Sequence, residues 1–282
     1  LAKRGARTKS EVPEASTQIR TKRVKFLLTS DTHYGYTHKT HKAHERFLKE
    51  VQEAIEIEEI AAVIHAGDWS TNKQDQFYRT MKMFRTYIDT RIPILCVRGN
   101  HDFWDYAKNY GYTSSGRKLL WGEMQQQHKK WFKELNVHHL EEGPYVVDDV
   151  IVCGFDGWYG QSNPPTNDEA MIVGNIEGCP AMVYHSSRAY KELCRVLDTD
   201  TDSYAKAICV SHFPPFGGDK KGLSERDLSF SANPRYFDPI TEKFDVFCVG
   251  HSHMRVDRID NNCRLLNAGS DYNLPKFVIF DV

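Results

Sequence analysis

Apolar residues along this chain gather into short runs that end abruptly in polar side chains, with amphipathic stretches between them. Residues 24–31, Ala62-Val63-Ile64-His65-Ala66, Ile92-Pro93-Ile94-Leu95-Cys96-Val97, Ile208-Cys209-Val210-Ser211 and Val246-Phe247-Cys248-Val249 each read as a buried strand. Between them, residues 40–59 place Ala43, Phe47, Val51, Ala54 and Ile55 at helical spacing, and Phe77, Met81, Phe84 and Ile88 repeat the pattern. This alternation predicts an α/β fold with a largely parallel sheet covered by helices. Further helices are expected around 118–135 and 185–198, and at the end of the Pro- and Gly-rich insertion 213–240. Val137 to Leu140, Tyr145 to Val147 and Val150 to Phe155 read as a meander that starts a second sheet. The tail runs Val256 to Ile259, Arg264 to Asn267 and Phe277 to Asp281 read as antiparallel strands closing that sheet.

Each of the five buried runs releases metal-type side chains at its C-terminal end. They are Asp31 and His33, Gly67-Asp68, Gly99-Asn100-His101-Asp102, His212, and Gly250-His251-Ser252-His253. Strand ends of this kind are where open α/β sheets place their ligand crevices. Singly, each motif is weak: Asp-x-His is commonly a turn with a surface histidine, and Gly-Asp is commonplace. Their convergence in order is what points to a site. Residues two apart in extended backbone face the same way, so Asp31 with His33 can reach one ion together, and His251 with His253 can both point to one cleft. Carboxylate, amide and imidazole donors without thiolate suit octahedral Mn, Fe, Co, Ni or Zn.

The ordered set resembles the calcineurin-like metallophosphoesterases over residues 24–282. The resemblance implies a four-layer α-β-β-α sandwich of two packed mixed sheets, with two divalent metal ions at its crest, Mn first among the alternatives. By motif position, Asp31, His33, Asp68 and His253 would hold one ion, and Asp68, Asn100, His212 and His251 the other, with Asp68 bridging. Two cations about 3.5–4 Å apart acidify a shared water and neutralise phosphoryl oxygens, so attack on phosphorus needs no protein nucleophile. The resemblance places His101 against the leaving-group oxygen. Asp102 is expected to orient that imidazole and raise its pKa, against the plainer reading of a loop-capping carboxylate.

Four further residues are candidate substrate contacts, each with a plain alternative. His38 lies with His41 and His44 on what reads as the solvated start of a helix. Arg98 can serve only to neutralise carboxylates, Trp104 to pack, and Arg255 as a surface charge. His65 is expected to be a buried, hydrogen-bonded support.

Composition narrows the function classes. A net charge of -1 excludes the global basic field of a dedicated nucleic-acid binder. Residues 1–23 are nonetheless basic and read as a poorly ordered arm ahead of a single domain at 24–282. Seven cysteines, four of them inside apolar runs, fit buried thiols in a reducing cytoplasm rather than a disulfide framework. No apolar stretch is long enough for a membrane span, and a soluble cytoplasmic protein without a membrane partner is expected.

Within the resembled family, phosphoprotein phosphatases carry Gly-Asp-x-Val-Asp-Arg-Gly and Gly-Asn-His-Glu. This chain has Gly67-Asp68-Trp69-Ser70-Thr71 and Gly-Asn-His-Asp, which argues against that branch. The expected activity is therefore a phosphodiesterase on a nucleotide, a nucleic-acid end or another small diester. The alternatives are a phosphomonoesterase on the same core and, from another class, a catalytically silent scaffold or a nucleic-acid-binding module.

Overall fold

The computed structural model describes residues 23–35, 40–71, 74–104, 121–158, 188, 191–193, 195, 204–214, 243–260, 262–272 and 274–282. Eleven strands among these residues form two sheets. The first sheet contains β1 (Lys25–Thr29), β2 (Ala62–Ala66), β3 (Ile94–Val97) and β4 (Val137–His139), all parallel, with β11 (Phe277–Asp281) antiparallel on the far side of β1. The second runs in the order β5 (Tyr145–Val147), β6 (Val150–Phe155), β7 (Lys206–Ser211), β8 (Val246–Val249), β10 (Cys263–Asn267), β9 (Val256–Asp260). Its centre, from β6 to β10, is parallel and its two edges pair antiparallel.

Burial explains why these runs carry no polar alternation. Phe26, Leu28, Ile64, Leu95 and Val97 of the first sheet meet Val152, Ile208, Val210, Cys248 and Leu266 of the second in a dry layer between the sheets. The opposite face of the first sheet, with Leu27, Val63, Ile94 and Cys96, packs on Phe47, Leu48 and Val51 of α1 (Thr40–Glu58). Phe77, Met81 and Phe84 of α2 (Gln74–Tyr87) and Phe132 of α3 (Trp121–Glu134) complete that layer. Ile151, Cys153, Phe155, Cys209 and Phe247 on the outer face of the second sheet are covered by Trp121, Met124, Leu193 and Phe213. The expected two-sheet α/β sandwich is thus the fold, and strands covered on both faces read as continuous apolar runs.

Two sheet assignments differ from the sequence reading. The Val137 run does not start the second sheet: α3 supplies the crossover that parallel pairing requires, and β4 joins β3 at the edge of the first. The last run does not close the second sheet either. It returns to the first, pairing Phe280 with Phe26 and Val278 with Leu28. Its alternate side chains go to two different layers, Val278 and Phe280 between the sheets, Phe277 and Ile279 toward the helices. Such a strand satisfies either sheet by pattern alone. Residues 188, 191–193 and 195 are helical, within the expected helix at 185–198, whereas the end of the 213–240 insertion lies outside the described residues.

Candidate metal centre

The carboxyl ends of β1, β2 and β3 meet those of β7 and β8 across the sandwich. Backbone bonds fix them in register: Asp31 N donates to Gly67 O at 2.9 Å, His33 N to Asp68 O at 3.1 Å, and Gly250 N to His212 O at 3.0 Å. All seven sequence-predicted ligands converge there. At a first position, His33 Nε2 lies 3.1 Å from His253 Nε2 and 3.6 Å from Asp68 Oδ2, and His253 Nε2 is 3.5 Å from Asp31 Oδ1. At a second, His212 Nε2 lies 3.4 Å from the same Asp68 Oδ2 and 3.2 Å from Asn100 Oδ1, with a His251 nitrogen in the same group. With bonds of about 2.1 Å, donors on one ion stand about 3.0 Å apart in an octahedron and about 3.4 Å in a tetrahedron. The observed spacings, 3.1–3.6 Å, lie close to these values, and Asp68 Oδ2 takes part in both groups.

The backbone is shaped for this arrangement at a cost. Nine described non-glycine residues have positive φ, and five of them are Asp31, His33, Asp68, His251 and His253. Each such conformation costs about 1–3 kcal/mol and persists only where its surroundings impose it. The motif glycines follow from close approach. A Cβ on Gly99 would stand 2.6 Å from Asp68 N and 2.7 Å from Asp68 Cγ, and one on Gly67, which also has φ +88°, would stand 2.6 Å from His212 Nδ1.

A family profile of calcineurin-like phosphoesterases matches residues 24–255, most of the chain. The chain belongs to the calcineurin-like phosphoesterases. It is accordingly a metal-dependent phosphoester hydrolase. Its fold is similar to that of the phosphopantetheinyl hydrolase of Mycobacterium tuberculosis, with TM-score 0.61 and 14% identity over 91% of this chain and 96% of that one. A dimetal phosphatase of Danio rerio is also similar, with TM-score 0.57 and 11% identity over 91% of each chain. No curated protein sequence matches the chain.

The electrostatics of this phosphoesterase centre suit cations. Burial alone would raise the Asp68 carboxyl pKa, but His212, His101 and His33 outweigh it and hold the group well below the usual carboxylate range. Burial pushes His33 and His251 well below the ordinary histidine value, so both imidazoles are neutral and able to ligate. At His212 burial also lowers the pKa, but Asp68 overrides it and raises the group to about 9. Without bound metal, His212 is therefore protonated at neutral pH, and an ion entering the second position must displace that proton. Metal affinity is expected to rise about tenfold per pH unit below about pH 9 and to level off above it. Calorimetry in buffers of different ionisation enthalpy should register at least one proton released per chain at pH 7; no release would contradict the assignment.

The residues supporting the centre were only partly visible beforehand. His101 Nδ1 donates to the Thr71 carbonyl at 2.6 Å. Asp102 does not perform that role: its carboxylate accepts the backbone N–H groups of Asp68, Trp69 and Gly99 at 2.9 Å each, and of Ser70 at 3.4 Å. It caps the loop that carries Asp68, which corrects the expectation that it orients the imidazole. His44, expected on a solvated helix start, is fully buried and bonds the Thr32 carbonyl at 2.5 Å, between the two β1 ligands. His65 is the expected buried support, near Thr32 Oγ1 at 3.2 Å and stacked on Trp69. Asn267 holds the histidine loop of β8, donating to Gly250 O at 3.0 Å and Ser252 Oγ at 3.1 Å.

The four proposed substrate contacts separate. Arg98 is buried behind the centre, where its backbone N–H, Nε and Nη2 all bond Asp156 at 2.6–2.8 Å and Nη1 bonds Gln125 at 2.7 Å. Asp156, which sequence reasoning missed, also accepts from His139 Nε2 at 2.7 Å, and its carbonyl accepts His212 N at 3.3 Å. Through its carboxylate and its carbonyl, Asp156 links the turn before Asn100 to His212. Trp104 lies over His101, ring centroids 3.7 Å apart. Arg255 is exposed, and His38 lies outside the described residues.

Proposed function

We propose that the chain is a dimetal phosphodiesterase acting on a nucleotide, a nucleic-acid end or another small diester, with Mn as the first candidate metal. The observation that carries this reading is the engagement of Arg98. Its guanidinium is committed to Asp156 and Gln125, and among the described residues no lysine or arginine pairs with Asp31 or Asp68. A dianionic monoester gains most from an added guanidinium fork. A monoanionic diester can be neutralised by two ions alone.

Two divalent ions at the shared donor set would supply Lewis acidity and an acidified water at neutral pH. The chain's own residues do the rest. Asp68 Oδ1 accepts His101 N at 2.9 Å, which ties the shared ligand to the segment carrying His101. With Nδ1 committed to Thr71, Nε2 is the ring nitrogen left to face the leaving oxygen. Trp104 buttresses that imidazole and offers an aromatic wall beside the leaving group. Buried thiols such as Cys96 and Cys153, the latter pushed by burial to about 12, fit a reducing cytoplasm as the protein's location.

The test compares bis(p-nitrophenyl) phosphate with p-nitrophenyl phosphate after metal stripping and reconstitution with Mn2+. The diester is expected to have the higher kcat/KM by tenfold or more. Monoester preference would replace this reading with a phosphomonoesterase on the same core.

A further inference from the structure

The imidazoles of the two metal positions are held by different means. At the second position, His212 is fully buried and its Nδ1 lies 2.8 Å from the Ala66 carbonyl, so the backbone at the end of β2 fixes the ring. At the first, His33 is also fully buried, yet its Nδ1 has no hydrogen-bond partner. Ring contacts hold it instead: Tyr272 stacks on it with centroids 4.3 Å apart at 25°, and His101 meets it edge-on at 4.6 Å. The other first-position histidine, His253, turns Nδ1 toward Asp271 Oδ1 at 3.4 Å and lies 4.9 Å from the Tyr272 ring.

Asp271 and Tyr272 are neighbours in one tight turn between β10 and β11. Reciprocal bonds close it, Asp271 N to Leu274 O at 3.2 Å and Leu274 N to Asp271 O at 2.8 Å, and Tyr272 N donates to Asp271 Oδ1 at 2.7 Å.

We propose that Asp271 and Tyr272 are positioning residues for the ion held by Asp31, His33, Asp68 and His253, and that this turn sets the affinity of that ion separately from its neighbour. The proposal rests on the dimetal reading. A ligating histidine whose second nitrogen meets a carboxylate is fixed in tautomer and made more basic, and loss of such a partner typically costs about 10–100-fold in metal affinity. Tyr272 does by stacking what a hydrogen bond does elsewhere, since rotation of the His33 ring would drive it into the phenol.

The experiment is a Mn2+ titration of the metal-stripped chain by calorimetry, with low-temperature electron paramagnetic resonance to separate coupled Mn pairs from single ions. Asp271→Asn and Tyr272→Leu are each expected to weaken one of two binding constants by about 10–100-fold and to leave the other within threefold. At intermediate Mn2+ the coupled signal should give way to that of a single ion. Tyr272→Phe, which keeps the ring, should restore the wild-type constant. Equal weakening of both constants would mean general damage to the site and would overturn the proposal, as would no change in either. If the wild-type chain binds only one ion, the dimetal reading itself fails. An unchanged constant in both variants would then dispose of the clamp as well.

Discussion

Asp68→Ala is expected to lower kcat/KM by about a thousandfold or more, the several kcal/mol that a two-metal site contributes to the transition state, and to lose both ions together. The reason is geometric. Asp68 Oδ2 faces both donor sets, 3.6 Å from His33 Nε2 and 3.4 Å from His212 Nε2. Oδ1 meanwhile holds the backbone N–H of His101 at 2.9 Å. Truncation therefore removes a ligand from each ion and frees the turn carrying Asn100 and His101. It also leaves four crowded imidazoles without the carboxylate that most favours cations among them. Asp68→Asn separates the two effects, because the amide oxygen can still accept from His101 N while the negative charge is gone. That variant should keep its fold by circular dichroism and still bind metal far more weakly than wild type. Metal content by plasma mass spectrometry, measured beside the kinetics, checks this. Retention of two ions with activity within tenfold of wild type would remove Asp68 from the bridging role.

His101→Gln is expected to act on turnover rather than on metal. Loss of a positioned proton donor typically lowers kcat by about 10²–10⁴-fold, and both ions should remain, since Asp31, His33, Asp68, Asn100, His212, His251 and His253 are untouched. The size of the defect should depend on the leaving group. A p-nitrophenolate departs without protonation, so the variant should be only mildly impaired on it, whereas an alkoxide leaving group should show nearly the full loss. A defect independent of leaving-group basicity would make His101 an electrostatic or ligating residue instead of a proton donor. Thr71 serves as a control. The imidazole is held by a main-chain carbonyl at 2.6 Å, so a Thr71 side-chain substitution should leave the leaving-group dependence in place.

The candidate metal ligands could be read from the chain because each follows a buried strand closely, and a strand buried on both faces has an unmistakable composition. The rule that parallel strands deliver their chemistry at one end located the cluster, and the resemblance to the phosphoesterase family divided Asp31, His33, Asp68, Asn100, His212, His251 and His253 between two ions. What holds those ligands was far less visible, because the partners lie far away in sequence or belong to the main chain. Asp156 is 58 residues from Arg98, Asp271 is 18 from His253, and no side-chain code specifies the Thr71 carbonyl as the partner of His101. Adjacency misled at Asp102, where the next residue to the imidazole spends its oxygens on four backbone donors. Nearness to the helix start misled at His44, which shares the buried face of Phe47, Leu48 and Val51 and bonds the Thr32 carbonyl. Sheet membership was hidden where the pattern was symmetric: the Phe277 run is apolar on both faces and fits either sheet until the pairing with β1 is seen.

The return of that last strand has a mechanical consequence. The chain passes from the second sheet back to the first through the segment after β10, and the turn bearing Asp271 and Tyr272 is part of that span. A sliding motion of one sheet over the other must stretch this strap, and the strap's midpoint rests on His33 and His253. The second position is tied across the layers as well, since His212 follows a strand of the second sheet and its ring meets the Ala66 carbonyl of the first at 2.8 Å, so shear between the sheets bears on both ions' donors.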